Sequence, residues 1–151
     1  MQIKALDKCN VKQIAAGERH SLCVDGDGNL LAFGVGNYGQ LGCTDELPAR
    51  DYCEGLPVNI DLKDEDGDKV IQISCGENHN FAITNKGSVY TWGYGTEYEL
   101  GHGVGKDEYR PRKLEAMKGI KDGNKPVEIC VHQAEGGAHF SAILCKVIRE
   151  N

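Results

Sequence analysis

Histidine is the side chain best suited to acid–base chemistry near neutral pH, and the sequence holds five of them. Three occur in the pattern Gly-x-x-His, namely His20, His79 and His139. A position that recurs three times favours a shared structural role for His20 and His79, such as a hydrogen bond across a turn, over a catalytic one. For His139 the structural and the functional interpretation both stay open.

The other residues with chemical potential have simpler explanations. Residues 34–39 read Gly-x-Gly-x-x-Gly, but a dinucleotide site needs a helix after this motif, and QLGCTDELP follows instead. DGDGN (25–29) and DEDGD (64–68) place glycine wrongly for a calcium loop and lack its closing glutamate, so turn chemistry explains them. His102, His132 and the cysteines lack metal-ligand spacing, and no nucleophile motif occurs. We therefore predict no catalytic residue, no metal and no cofactor.

The histidines belong to an internal repeat. Residues 17–42 and 76–101 align without a gap, and most of their identical positions are glycines. Shared glycines usually fix the shape of the backbone rather than chemistry. A third copy begins at Gly136, so the period is 59 to 60 residues. A period of this length predicts a repeat architecture.

Each copy contains short apolar segments separated by turn residues. The clear segments are 11–16, 20–25 and 29–34 in the first copy, and 70–75, 79–84 and 88–93 in the second. Gly28 and Gly87 supply the positive φ of tight hairpins, so each copy predicts an antiparallel meander. A weaker fourth segment follows at 57–62 and at 111–116, and its leading proline suits an edge strand.

Units of four short antiparallel strands are typical of β-propeller blades. The sheets are apolar on both faces, so each must be sandwiched between neighbours. Phe33 and Trp92 share one strand position and are expected in the core between blades. The fold class is thus all-β and part of a propeller, with about two and a third repeats: 11–69, 70–126 and an incomplete closing repeat at 127–151. Because a ring needs at least four blades, we expect the C-terminal part of a longer protein, or a chain that closes only by association.

Composition restricts the partners and the compartment. The formal charge of −6 argues against a large phosphate-binding face, so sequence-specific nucleic-acid binding is not expected. No apolar run reaches the roughly 18 residues of a membrane span, and MQIKALDKCN lacks the apolar region of a secretory signal. Seven cysteines without a Cys-x-x-Cys pair, three of them in apolar strands (Cys23, Cys75 and Cys145), indicate the cytosol or the nucleus.

The repeated words Gly-x-x-His, Gly-x-x-x-x-x-Gly and Leu-Gly, at this period, resemble the repeats of the regulator of chromosome condensation family. YTWGYGTEYELGHGVGKDEYRPRKLEAM, VEICV and GGAHFSAIL together resemble the final repeat and closing tail of the family's exchange factors for the GTPase Ran. The resemblance implies a seven-bladed propeller that lies in the nucleus on chromatin, and also in the cytoplasm. One face would bind Ran and promote nucleotide loss without covalent chemistry, and the other would contact nucleosomal histones. In this family the last blade is closed by strands from both chain ends.

The resemblance also implies where a GTPase would bind: Arg19, His20, His79 and His139. His139 matches the histidine of the family's terminal Gly-Gly-x-His, on the Ran-facing surface. In the Ran factor two adjacent histidines occupy the place where this chain has Arg19 and His20, and an arginine there would pair with acidic groups of a GTPase. The alternative is a family member that scaffolds other proteins without exchange activity. A single tryptophan argues against the ultraviolet-receptor branch, which needs a tryptophan cluster.

Overall fold

The computed structural model describes residues 3–7, 9–62, 67–115, 121–122, 125–126 and 128–148. Within these ranges the chain is built of β-strands, preceded by one turn of 3₁₀ helix at Lys4–Leu6. The strands are β1 Val11–Ala16, β2 His20–Asp25, β3 Leu30–Val35, β4 Cys53–Ile60, β5 Val70–Cys75, β6 His79–Thr84, β7 Val89–Gly93, β8 Glu108–Lys113, β9 Lys121–Asp122, β10 Lys125–Pro126, β11 Glu128–Gly136 and β12 Ser141–Ile148.

The strands form two four-stranded antiparallel sheets and two smaller ones. Sheet 1 has the order β1-β2-β3-β4, sheet 2 has the order β5-β6-β7-β8, and β11 pairs with β12 to form sheet 3. β9 and β10 form a short antiparallel pair of their own. The predicted all-β architecture of four-stranded antiparallel blades is confirmed.

The fourth strands begin earlier than the sequence predicts. β4 starts at Cys53 opposite Val35, and β8 starts at Glu108 opposite Gly93. Polar residues enter these strands because their partner on the third strand, and not their own hydrophobicity, fixes the pairing. Pro57 lies inside β4 and Pro111 lies inside β8. Both strands are at the edge of a sheet, where a residue without a backbone N–H is tolerated.

The predicted hairpins between second and third strands are present. Gly28 and Gly87 have φ values of 84° and 80°, which other residues rarely adopt. In the first hairpin the Asp25 carboxylate accepts hydrogen bonds from the backbone N–H groups of Asp27 and Asn29, both at 2.9 Å. This capped turn fixes the register of β2 against β3.

Sheet 2 is buried on both faces, as the sequence predicts. Every residue of β6 and β7 is buried. One face packs on sheet 1 in a core that contains Leu22, Val24, Leu30, Ala32, Leu41, Ile60, Val70, Ile73, Ala82, Tyr90 and Trp92. The other face packs on sheet 3 in a core that contains Phe81, Ile83, Val89, Leu114, Val131 and Ala134.

The outward faces of sheets 1 and 3 carry exposed apolar side chains, whereas both faces of sheet 2 are buried. Ile14 on sheet 1 is 77% exposed and Leu144 on sheet 3 is 62% exposed. The prediction of an inter-blade core is confirmed for Trp92, which is fully buried between sheets 1 and 2. Phe33 is half-buried on the opposite face of sheet 1, and its place in an inter-blade core stays a prediction.

All seven cysteines are free thiols. Burial raises the pKa of the Cys75 thiol to about 12, so this cysteine is protonated and packs as a small apolar residue, as its strand position predicts. Among the described residues no helix has the length and apolar character needed to cross a membrane.

Candidate functional site

Three turns at one end of the sheets join the first strand of each sheet to the second. We call residues 17–19, 76–78 and 137–139 the inner turns. Each is closed by a backbone hydrogen bond of 2.8 to 3.0 Å, in which the N–H of the glycine donates to the carbonyl three residues later. Backbone hydrogen bonds also join neighbouring turns. The backbone N–H of Glu18 donates to the carbonyl of Glu77 at 3.0 Å, and the backbone N–H of Glu77 donates to the carbonyl of Gly137 at 3.1 Å. The inner turns therefore form one continuous row.

The third inner turn corrects the sequence alignment. Its closing bond runs from Gly137 to Phe140, so Gly137 and not Gly136 is the counterpart of the glycines in the other two turns. The prediction that His139 shares the position of His20 and His79 is therefore wrong. Phe140 takes that position.

The strand register shows why. β11 and β12 pair Gly136 with Ser141, just as β5 and β6 pair Cys75 with Asn80. The doubled glycine allows two alignments from sequence, and the pairing selects the later one. His139 consequently corresponds to Arg19 and Asn78, the last residues of the first two inner turns.

The two aligned histidines are buried between sheets. His20 is 3% exposed, and its Nε2 lies 2.6 Å from Oδ1 of Asn80 in sheet 2. Nδ2 of Asn80 donates to the Gln40 carbonyl at 2.7 Å. Because this bond fixes the orientation of the amide, Oδ1 must accept and Nε2 of His20 must carry the proton.

The same arrangement recurs at the next boundary. His79 is fully buried, and its Nε2 lies 3.3 Å from Oγ of Ser141 in sheet 3. The Ser141 hydroxyl donates to the Glu99 carbonyl at 2.5 Å, so its oxygen accepts from the histidine. We call each set of histidine, following-sheet Asn or Ser, and loop carbonyl a histidine clasp.

The clasped histidines are neutral at neutral pH. Burial lowers the pKa of His20. Burial lowers the pKa of His79 to about 4, and the charges of His20 and His139 add to the effect. A neutral, fully enclosed imidazole suits the structural role that the sequence favours for these two positions, and neither ring is open to a partner in this structure.

Arg19 and His139 are different, because both side chains are exposed. The Arg19 carbonyl accepts from Val35 at 2.8 Å, and the Asn78 carbonyl accepts from Tyr94 at 2.9 Å, which fixes the ends of the first two inner turns. Glu18 is exposed, whereas Glu77 is half-buried. The row thus presents polar anchors on a rigid backbone. Among the described residues no cluster of His, Cys, Asp and Glu has the arrangement of a metal site.

The loops after β3 and β7 flank this row. Tyr38 and Tyr94 meet edge to face with ring centroids 5.2 Å apart. Tyr98 is 65% exposed and has a φ of 65°, at the position where the first copy has Gly39 with a φ of 80°. An exposed aromatic residue held at positive φ is uncommon and is found more often at binding sites than elsewhere.

The sequence does not reveal which groups complete the clasps, namely Asn80, Ser141 and the loop carbonyls. Each of these groups lies far from its histidine along the chain, so local patterns do not reveal the contacts. One signal was available: Val-x-Gln begins each copy at 11, 70 and 131. Alignment on this pattern places Phe140 with the histidines and Ser141 with Asn80.

Comparison with known proteins identifies the repeat. The family model described as "Regulator of chromosome condensation (RCC1) repeat" matches residues 27–83 and 86–144. A second model with the same description matches residues 11–40 and 70–99. The chain belongs to the RCC1 repeat family. The segments matched by the first model each run from a third strand into the second strand of the following sheet, whereas those matched by the second model each hold the first three strands of one sheet.

Several RCC1 relatives are similar over most of the chain. Protein pim1 of Schizosaccharomyces pombe is 34% identical over 155 residues, covering 93% of this chain and 26% of pim1. The ultraviolet-B receptor UVR8 of Arabidopsis thaliana is 35% identical over 116 residues, covering 77% of this chain and 25% of UVR8. The probable E3 ubiquitin-protein ligase HERC3 of Homo sapiens is 34% identical over 118 residues, covering 78% of this chain and 11% of HERC3.

Among solved structures, Prp20p of Saccharomyces cerevisiae superimposes with a TM-score of 0.75 at 24% identity, over 95% of this chain and 33% of that chain. This likeness shows the propeller fold. The chain spans about a quarter or less of the curated relatives named above.

Proposed function

We propose that this chain is the C-terminal part of a guanine-nucleotide exchange factor for a Ran-type GTPase, and that the row of inner turns belongs to the GTPase-binding surface. The observation that supports it most is the likeness to Prp20p, whose structure is described together with its binding to Gsp1p and histones. On this proposal the whole protein works in the nucleus on chromatin, and histones are further partners.

Such an activity needs no covalent chemistry. An exchange factor that prefers the nucleotide-free GTPase weakens nucleotide binding by the same factor. Each ~1.4 kcal/mol of this preference changes the equilibrium about tenfold. Arg19 is the residue in the row best suited to the task, because an exposed guanidinium pairs with carboxylates in a fixed, bidentate geometry. His139 adds an exposed imidazole at the corresponding place of the third turn.

The test is release of fluorescent GDP from Ran, with the full-length protein that contains these repeats as the added factor. We expect accelerated release, lowered about tenfold by Arg19→Ala or His139→Ala, since each removes one charge-assisted or neutral hydrogen bond to the GTPase. Lys12→Ala is the matched control, because it removes an exposed cation from β1, outside the row. Unchanged GDP release at micromolar full-length protein would refute the proposal.

The 151-residue chain by itself is expected to accelerate release little, because a GTPase-binding surface on a propeller is assembled from several blades. The measurement is the same assay with this chain at equal concentration. Activity equal to that of the full-length protein would contradict the expectation.

The second candidate function is a binding scaffold without exchange activity. It is favoured by the similarity to UVR8 and HERC3, whose names describe a receptor and a ubiquitin ligase. A scaffold would bind Ran either not at all or equally well with and without bound nucleotide. Affinity measured for GDP-loaded and nucleotide-free Ran separates the two functions.

A further inference from the structure

The loops after β3 and β7 place equivalent side chains, Gln40 and Glu99, at the two boundaries between sheets. Both are buried, at 1% and 4% exposure. The backbone N–H of Tyr38 donates to Gln40 Oε1 at 2.9 Å, and that of Glu97 donates to Glu99 Oε2 at 2.8 Å. One side-chain atom of each residue is thus used in the same way inside its own loop.

The remaining atom differs between the two boundaries. At the first boundary, Gln40 Nε2 donates to Asn78 Oδ1 at 3.2 Å, which ties the loop to the second inner turn. At the second boundary the corresponding atom is Glu99 Oε1, which is buried and has no hydrogen-bond partner among the described residues. A buried carboxylate oxygen without a donor is unfavourable, so a donor is expected beside it.

The residue that corresponds to Asn78 in the third inner turn is His139. Glu99 and His139 line the same pocket at the second boundary, together with Phe140 and Ser141. A ring N–H of His139 can supply the donor that Glu99 Oε1 lacks, and a hydrogen bond to an ionised acceptor is stronger than a neutral one. An acid and an imidazole thus occupy the places that Gln40 and Asn78 hold at the first boundary, and a hydrogen bond between them would run in the opposite direction.

We propose that Glu99 is a positioning residue for His139: its Oε1 accepts a hydrogen bond from the His139 ring and holds the imidazole at the end of the row of inner turns. This inference rests on the proposed function, because the oriented ring would be one of the anchors for the GTPase. Orientation matters there, since a fixed side chain loses less conformational entropy when a partner binds.

The contact itself is tested by NMR of the ¹⁵N-labelled 151-residue chain at neutral pH, with His139→Asn used to assign the ring signals. In the wild type we expect one ring nitrogen of His139 to carry the proton and to donate a hydrogen bond. The ring signals that report this hydrogen bond should disappear in Glu99→Gln. Glu97→Gln is the matched control, because it removes the same charge from an exposed residue two positions away. Ring signals that are the same in wild type and Glu99→Gln would overturn the proposal.

The positioning role is tested by the affinity of the full-length protein for nucleotide-free Ran. Glu99→Gln and His139→Asn should each weaken binding about three- to tenfold, and the double variant no further, because both changes break one contact. The double variant also recreates the Gln–Asn pair of the first boundary, so it should fold. A coupled pair in the spectra with unchanged affinities would overturn the positioning role. Absence of Ran binding by the wild-type protein would instead refute the proposed function, and the spectra alone would then decide the contact.

Discussion

Acid should weaken the second sheet boundary through His79. Its pKa in the folded protein is about 4, against an ordinary value of 6.5, mainly because the ring is buried. Between these two values the unfolded chain binds a proton that the folded protein does not. The free energy of unfolding must therefore fall as the pH is lowered from about 6.5 towards 4.

The size of the effect follows from the same difference. One pKa unit corresponds to about 1.4 kcal/mol, so protonation near pH 4 instead of 6.5 is equivalent to about 3 kcal/mol of stability. This is a large fraction of the 5–15 kcal/mol typical of a folded domain. His20, Asp25 and Glu135 also have lowered pKa values and contribute in the same direction, so a comparison with a variant is needed.

The variant is His79→Gln, whose amide keeps a hydrogen-bonding group towards Ser141 but does not titrate. Its free energy of unfolding at pH 7.5 should be about 1–2 kcal/mol lower than that of the wild type, because the ring contact with Phe81 is lost. Between pH 6.5 and 4.5 the variant should lose stability less steeply, by up to about 1.4 kcal/mol per pH unit.

The assay is urea denaturation followed by far-ultraviolet circular dichroism at several pH values, with the slope against urea checked for constancy. His132→Gln, a change at an exposed histidine on β11, is the control and should run parallel to the wild type. If His79→Gln also ran parallel to the wild type between pH 6.5 and 4.5, the assignment of a buried, neutral His79 would be refuted.

Three further changes have defined outcomes in the same denaturation assay at neutral pH. Asn80→Ala should lower the free energy of unfolding by about 2–3 kcal/mol, because it leaves the buried Nε2–H of His20 without an acceptor and removes one of the two donors to the Gln40 carbonyl. Ser21→Ala, at the corresponding place in sheet 1, should stay within about 0.5 kcal/mol. Equal losses would contradict the clasp. Gly28→Ala should be more destabilising than Gly87→Ala. Both positions have a positive φ, but only at Gly28 would the new methyl group meet another side chain, with Lys69 Cβ at 2.7 Å. The opposite order would be evidence against this packing. Trp92→Phe should lose about 1 kcal/mol or more, because the indole N–H bond to a buried carbonyl at 3.1 Å is removed, and an unchanged midpoint would show that this bond contributes nothing.

The strands could be predicted from sequence because their signals are local. Apolar segments of five or six residues, bounded by turn glycines such as Gly28 and Gly87, fix the first three strands of sheets 1 and 2 almost to the residue. The start of β4 could not be found in this way, since Cys53 enters the strand only because Val35 is opposite. A pairing partner outside the local sequence decides such a boundary.

The candidate site was less accessible to sequence reasoning. Arg19 lies on an exposed turn between two strands, and its contact with a GTPase stays a prediction. His139 was placed one position out of register, since two consecutive glycines give two equally good alignments. The clasp partners could not be derived at all, because Asn80 lies 60 residues from His20 along the chain and its role follows only from stacking of the sheets.

The histidine clasps also determine how the chain can come apart. In sheets 1 and 2 the buried histidine finds its partner only in the sheet that follows. Removal of one sheet would therefore leave the buried histidine of the preceding sheet without its hydrogen-bond partner. A single sheet cannot satisfy its own buried polar groups. In repeat proteins such nearest-neighbour coupling, when it is strong relative to the stability of one repeat, suppresses partly unfolded species. The sheets should accordingly melt in a single cooperative transition, and a cut between two of them should destabilise both sides.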